Sequence, residues 1–406
     1  MTSVLARPSS TAGAPVRRRL PATVSFSLLA SIVVTLLASS SAPTPLYSLY
    51  QARWGFSAIT TTVVFASYAV AVLVALLVAG SLSDHIGRRP LLIGGLLTQV
   101  ATMWVFVTAD GVPQLITARI IQGLATGAAL GAVGAGMLDL NRERGTIANA
   151  VAPMSGTAIG ALLSGLLVQF LPGPTTLVYV VFSVMFLGQA VGVAFMRETT
   201  PRRPGAIASL KPDLGLPPAA RRAMLTATPV LFAAWALGGF YFSLGPALVR
   251  LTVHSDSRLL GGAALFAMGG TGAAAVLLLR KLSAVTTMKT GIALLIGGVA
   301  VTELAVATGS AVGLFVGMLI AGGGFGASVQ GSVRTVMPAA QPHERSGLLS
   351  LVYVVSYVGL GLPAVLAGVL VVYGGGLHAT AQQYGLAVIV LAGTALLGLL
   401  PRRRTA

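Results

Sequence analysis

The 406-residue chain contains no cysteine, which rules out disulfides, thiol nucleophiles and thiolate metal sites. Charge is scarce as well. Asp, Glu, Lys and Arg make up 9% of the residues, where a soluble domain carries about 25%. Acid is the scarcest charge, with nine Asp and Glu against 26 Lys and Arg. So few charges cannot cover a water-exposed surface. The four histidines, His85, His254, His343 and His378, fall in predicted loops without the spacing of metal ligands. No phosphate-cradling loop of the P-loop kind occurs, so neither ATP nor any cofactor is expected. An enzyme would need partnered catalytic groups at depth, and a receptor would need a substantial extramembrane domain. The chain offers neither.

What is present is apolar, at 55% of the chain. Runs of about 20 apolar residues recur, and each can cross a hydrocarbon core of roughly 30 Å. Spans are predicted at 22–44, 58–80, 90–108, 114–137, 148–171 and 175–196, then at 224–250, 259–279, 290–308, 311–333, 346–373 and 382–400. Residues 197–223 form the single long loop, with six basic residues and five prolines. The reading is an all-α membrane protein of twelve transmembrane helices embedded in a lipid bilayer. It divides into a tail 1–20, a half 21–196, a linker 197–223, a second half 224–400 and a tail 401–406. Arg17-Arg18-Arg19, the apolar stretch after it and Ser39-Ser40-Ser41-Ala42 also have the form of a secretory signal. The first span is needed to complete six plus six, which favours a span. Fifty glycines suit close helix approach in lipid.

The net charge of +17 invites a nucleic-acid reading, but its placement argues otherwise. Leaving out Arg53, Arg119, Arg250 and Arg258, 26 − 4 = 22 basic residues fall in the tails and loops of one side. That is the positive-inside bias, and it puts both termini in the cytoplasm. The basic residues are scattered over short loops with no aromatic platform, so no nucleic-acid partner is expected.

The halves repeat one another. Glu143-Arg144 follows the fourth span and Glu344-Arg345 the tenth (344 − 143 = 201). Gly123 and Gly127 answer Gly322 and Gly326 (322 − 123 = 199). Gly156 and Gly165 answer Gly359 and Gly368 (359 − 156 = 203). Two related six-helix halves imply a pseudo-twofold axis along the membrane normal.

The most informative segment is Gly80-Ser81-Leu82-Ser83-Asp84-His85-Ile86-Gly87-Arg88-Arg89-Pro90, a tight charged turn between two apolar runs. Gly80 permits close helix packing and Gly87 permits the turn. Asp84 falls near a helix N-terminus, where the dipole favours negative charge. Arg88 and Arg89 can pair with acids across the same face. Simple solvation of these charges is the alternative. The segment closely resembles the Gly-x-Leu-x-Asp-x-x-Gly-Arg-Arg loop between the second and third spans of the major facilitator superfamily. The resemblance extends over residues 21–400.

The resemblance implies that the loop latches the halves in the outward-facing state, with Asp84 against the start of the eleventh helix. Glu143, Arg144, Glu344 and Arg345 are expected in the same network. Arg119 through Gly127, with Arg119 and Gly123 at the key positions, resembles the family's Arg-x-x-x-Gly pattern in the fourth span. The family role is proton transfer or cavity support; the alternative is that Arg119 snorkels to the outer interface. The antiporter branch's fifth span carries Gly-Pro before a final Gly-Gly. Here Gly156, Gly160 and Gly165 stand without a Gly-Pro.

Glu303 is the only carboxylate well inside an apolar run. An embedded carboxyl can bind and release a proton during transport, so Glu303 is the candidate for proton coupling. In this fold, spans 1, 4, 7 and 10 line the cavity, with 2, 5, 8 and 11 at its sides. Gln122, Trp235, Tyr241, Tyr353 and Tyr357 are therefore the candidate substrate contacts. Pro43 and Pro45, ahead of Tyr47 and Tyr50, are expected to kink or end the first helix.

Resemblance to the bacterial drug:proton antiporter and efflux permease branch implies a monomeric inner-membrane transporter. It would export a small amphipathic drug-like or secondary-metabolite-like compound, coupled to protons, by alternating access. The alternative is a permease for a small polar metabolite such as a sugar or amino acid.

Overall fold

A computed structural model describes residues 19–399. The predicted tails lie outside the described residues except for Arg19 and Leu20, as does residue 400 of the last predicted span. Within them every regular element is a helix, with twelve helices long and apolar enough to cross a membrane. They are Ala22–Trp54, Ala58–Ala79, Arg88–Val107, Val112–Leu140, Arg142–Phe170, Pro174–Ala194, Pro218–Val253, Arg258–Leu278, Ala284–Thr308, Ala311–Ala339, Arg345–Tyr373 and Gly376–Leu397.

The first span is interrupted where its prolines fall. Its first helix stops at Ser41, a single 3-10 turn covers Thr44–Leu46, and a second helix runs Tyr47–Trp54. Pro43 and Pro45 remove the donors a continuous helix would need. Gly55 then ends the segment in the left-handed conformation, at φ 65°.

Several helices run past the apolar limits read from sequence. The fourth reaches Leu140 and the fifth begins at Arg142, capped by Asn141, whose side chain accepts from the Arg144 N–H at 2.9 Å. Glu143 and Arg144 therefore stand in the first turn of a helix and not in a loop. Hydropathy marks the lipid slab, whereas a helix stops only where caps or backbone hydrogen bonding stop it.

The repeated glycines carry repeated contacts. A Cβ on Gly123 would lie 2.6 Å from the Tyr68 carbonyl oxygen, and one on Gly127 2.7 Å from that of Val72. Their counterparts Gly322 and Gly326 press in the same way on Met268 and Gly272 of the eighth span. Gly156 packs on Val34 of the first span, and Gly359 packs on Phe232 of the seventh. Each pair lets a backbone approach where any side chain would hold it off.

Across the halves, Gly165 of the fifth span meets Arg258 and Gly262 of the eighth. Gly368 of the eleventh meets Thr62 and Ala58 of the second. The Arg258 N–H also donates to Gln169 Oε1 at 3.0 Å. Phe65, Ala69, Leu360 and Ala364 complete an apolar seal between the second and eleventh spans. These contacts run from mid-membrane to the ends remote from the linker, so the molecule is closed on that far side. On the linker side the linker itself bridges the halves. Ser81 donates to the Ser209 carbonyl at 3.1 Å, and the Arg203 N–H to the His85 carbonyl at 2.9 Å. Gly215 lies against Gly347 at the start of the eleventh span.

Candidate functional site

Arg119 sits seven residues into a helix that begins at Val112, about 10 Å along its axis. It is 1% exposed, so it does not snorkel. Its Nε and one terminal nitrogen donate to the Tyr47 hydroxyl at 3.2 and 2.6 Å. The other terminal nitrogen donates to the Ser40 carbonyl at 2.7 Å and to Gln122 Oε1 at 2.9 Å. The guanidinium also lies 5.3 Å from the Tyr68 ring centre and 5.8 Å from that of Tyr47. Burying this charge costs about 2.5–3.5 kcal/mol on insertion scales, and these dipoles and ring faces offset the cost. Among the described residues no carboxylate pairs with it.

The break in the first span is what makes this cluster possible. A helix broken after Ser41 leaves the Ser40 and Ser39 carbonyls unused by the helix. Arg119 takes the first, and Gln122 Nε2 donates to the second at 3.1 Å. Gln122 is therefore not a free cavity group. It is fully buried, with both polar ends engaged between the first and fourth spans.

Trp235, Tyr357 and Phe325 converge from the seventh, eleventh and tenth spans. The Trp235 and Tyr357 rings stack at 5.8 Å with 26° between planes, and Phe325 meets Trp235 edge-on at 5.3 Å. Tyr357 lies near Tyr68 of the second span, which links this group to Arg119. Trp235 Nε1 is buried and has no hydrogen-bond partner. Tyr353, one turn before Tyr357, is half-buried on the same face. Tyr241 is different. It is 2% exposed, packs in the core of the second half against Phe240, and turns toward Thr302. It belongs to that bundle's interior, because its position on the seventh helix points between the helices of its own half.

Glu303 also stands apart. Its carboxylate lies against Gly385 of the twelfth span, and its own helix packs chiefly on the tenth and twelfth. It is off the surface between the halves.

The signature loop bonds within the first half in this conformation. Asp84 pairs with Arg88 at 2.5 Å, and Arg88 Nε reaches Asp139 at 3.4 Å. Arg88 also donates to the Ser83 hydroxyl. Arg89 donates to the Val193 and Ala194 carbonyls, which end the sixth helix. Glu198, unmarked by any sequence motif, accepts from the Arg88 and Arg89 backbone N–H groups at 2.8 and 3.1 Å. It caps the third span and brings negative charge to that helix's positive end. Gly87 has φ 95°, and a Cβ there would come within 2.8 Å of Glu198 Oε2. The glycine thus serves both the turn and the cap. Gly80 packs against Gly131 of the fourth span.

The expected wider network is not assembled. Asp84 does not touch the eleventh span here, because Arg88 takes its charge. Glu143 and Arg144 are exposed. Glu344 accepts from the Gln341 N–H at 2.9 Å, and Arg345 donates to the Ala340 carbonyl at 3.4 Å. Local backbone groups satisfy these side chains.

Comparison with known proteins agrees with this architecture. The sequence model of the Major Facilitator Superfamily matches residues 22–362. No curated protein matches the chain significantly by sequence. Among solved structures, an aspartate-to-alanine mutant of the nucleoside transporter NupG aligns with a TM-score of 0.70 at 12% identity, covering 93% of this chain and 99% of that one. The unmutated NupG structure aligns at 0.64 and 13% identity, covering 94% and 98%. At such identities the likeness is one of fold.

Proposed function

The chain belongs to the Major Facilitator Superfamily, and from that membership we propose a permease that carries a small polar metabolite by alternating access. The observation that carries this reading is the sign of the charge buried next to the aromatic cluster. Arg119 is embedded within the first half beside Tyr68, with no carboxylate paired to it among the described residues, and Glu303 lies between the ninth and twelfth spans. A cationic solute passing about 8 Å from Arg119 would meet roughly 2 kcal/mol of repulsion at an effective dielectric near 20. That disfavours lipophilic cations, the usual cargo of a drug exporter. The hydroxyl and indole groups of the aromatic cluster suit a neutral or electron-rich polar solute better. The nucleoside transporter among the similar folds supports the same preference.

The linker side is taken as cytoplasmic from its basic residues, in a bacterial inner membrane, with the chain acting as a monomer. The loop around Asp84, Arg88 and Arg89 acts as a latch when that side closes. Asp84 then exchanges Arg88 for the start of the eleventh span. Glu143, Arg144, Glu344 and Arg345, at matched helix starts, are brought together by the same closure. Protons, where they couple, do so through a group other than Glu303.

The test is counterflow in proteoliposomes with labelled uridine, glucose and alanine, beside ethidium, with and without a pH gradient. Exchange of a polar solute and no ethidium movement is the expected result. Proton release driven by ethidium, with no metabolite exchange, would overturn the reading in favour of drug:proton antiport.

A further inference from the structure

We propose that the Trp235–Tyr357 ring pair is the docking platform for a flat, carbonyl-bearing ring, the chemistry of a pyrimidine base or its nucleoside. The inference rests on the permease reading and names its substrate class. Three observations converge on it. The first is the platform itself. Two rings from different spans lie 26° from parallel, and Phe325 buttresses Trp235 from the edge. Gly359 holds them close, since its missing side chain lets the eleventh span sit against the Trp235 Cβ. Aromatic faces at mid-membrane recognise flat π-systems by stacking.

The second is an unused donor. Trp235 Nε1 is buried with no acceptor. Most buried N–H groups have partners, so an orphan beside a transport path calls for one. In this far-closed conformation the seal of Phe65 and Leu360 shuts the group in. It becomes available when the second and eleventh spans part.

The third is the chemistry opposite. A guanidinium has five N–H groups, and four hydrogen bonds engage Arg119. One donor remains, on a guanidinium whose carbon lies 5.3 Å from the Tyr68 ring centre. The site therefore offers ring faces and donors and no carboxylate. A ring carbonyl fits that set. An amino acid would leave its ammonium unmatched, and a sugar ring has neither a π-face nor a ring carbonyl.

The chain supplies its own probe, because it has three tryptophans, Trp54, Trp104 and Trp235. Converting Trp54→Phe and Trp104→Phe leaves Trp235 as the sole indole in the full-length protein. Its emission is titrated with uracil, uridine, glucose and alanine. Saturable quenching by uracil and uridine, absent with glucose and alanine, is the expected result. Tyr357→Leu should weaken that binding at least about tenfold, whereas Tyr357→Phe should retain it. If the double variant does not fold, the wild-type chain measured against Trp235→Phe gives the same reading by difference. Absence of quenching by either ring solute overturns the proposal, whatever the transport assay finds. Counterflow of glucose or alanine in the same preparation would then keep the permease reading while removing this substrate class.

Discussion

Arg119 on the fourth span donates twice to the hydroxyl of Tyr47, which stands just past the break in the first span. One phenol oxygen thereby fixes a buried cation and the geometry of the broken helix together. Tyr47→Phe keeps the ring and removes the acceptor. Hydrogen bonds to charged groups are worth about 1.5–3 kcal/mol each, so a clear drop in thermal stability in detergent is expected. Arg119→Lys should be nearly as harmful, since an ammonium cannot reproduce the planar fork. An unchanged melting temperature for Tyr47→Phe would mean the pair does not hold the two spans together.

Glu198 caps the third span through two backbone N–H groups. Glu198→Ala should cost about 0.5–2 kcal/mol, the range for a lost helix cap, while Glu198→Gln retains one acceptor and most of the stability. Denaturation of the two variants side by side measures the difference. Equal stabilities would show that the cap contributes nothing.

The far-side seal depends on backbone contact between the fifth and eighth spans. A Cβ on Gly262 would come within 2.5 Å of the Ala161 carbonyl oxygen, whereas one on Gly270 would meet nothing within 4 Å. Gly262→Ala is expected to push these spans apart and shift the protein away from the far-closed state. Gly270→Ala should be silent. The absence of native cysteine makes the readout direct: Thr61→Cys, buried on the far-side end of the second span, should be alkylated faster by an impermeant maleimide in the Gly262→Ala background. Slower or equal labelling would place the seal elsewhere.

The latch makes the opposite prediction in the same assay. Asp84→Asn removes the charge that would hold the linker side shut, so the far side should open less often and Thr61→Cys should label more slowly. Faster labelling would count against a latch.

Glu303→Gln should leave the rate and pH profile of transport unaltered, because the carboxylate packs on Gly385 between the ninth and twelfth spans. A changed pH profile would bring Glu303 back into the coupling mechanism despite its position.

Much of the architecture was legible before any coordinates. Apolar runs of membrane length mark the twelve spans, and the paired glycines at offsets near 200 residues mark the repeat. Both are local in sequence: hydropathy sums over neighbours, and a packing glycine is visible wherever it stands. The Arg119 motif was readable for a related reason, since a lone cation in an apolar run is conspicuous. Its partners were not. Tyr47 and Ser40 lie more than 70 residues away, and only the helix break between them turns an ordinary tyrosine and a backbone carbonyl into ligands for the guanidinium.

The same division limits the candidate site. Helix number and depth make Gln122 and Tyr241 candidates for the cavity, and an embedded carboxyl makes Glu303 a candidate for proton coupling, but none of these signals says which way a side chain points. A helix turns 100° per residue, so one step of rotation moves a group from the path to the bundle core. Glu198 went unnoticed because an acid after a helix looks like solvated surface until the third span's first turn is seen against it. By itself, the sequence determined that this chain crosses a membrane twelve times in two related halves, because burial of apolar length in lipid is decided span by span. Which groups face one another between the halves, and on which side they close, was decided only by the packing of helices distant in sequence, since those contacts depend on rotation and tilt that no local pattern encodes.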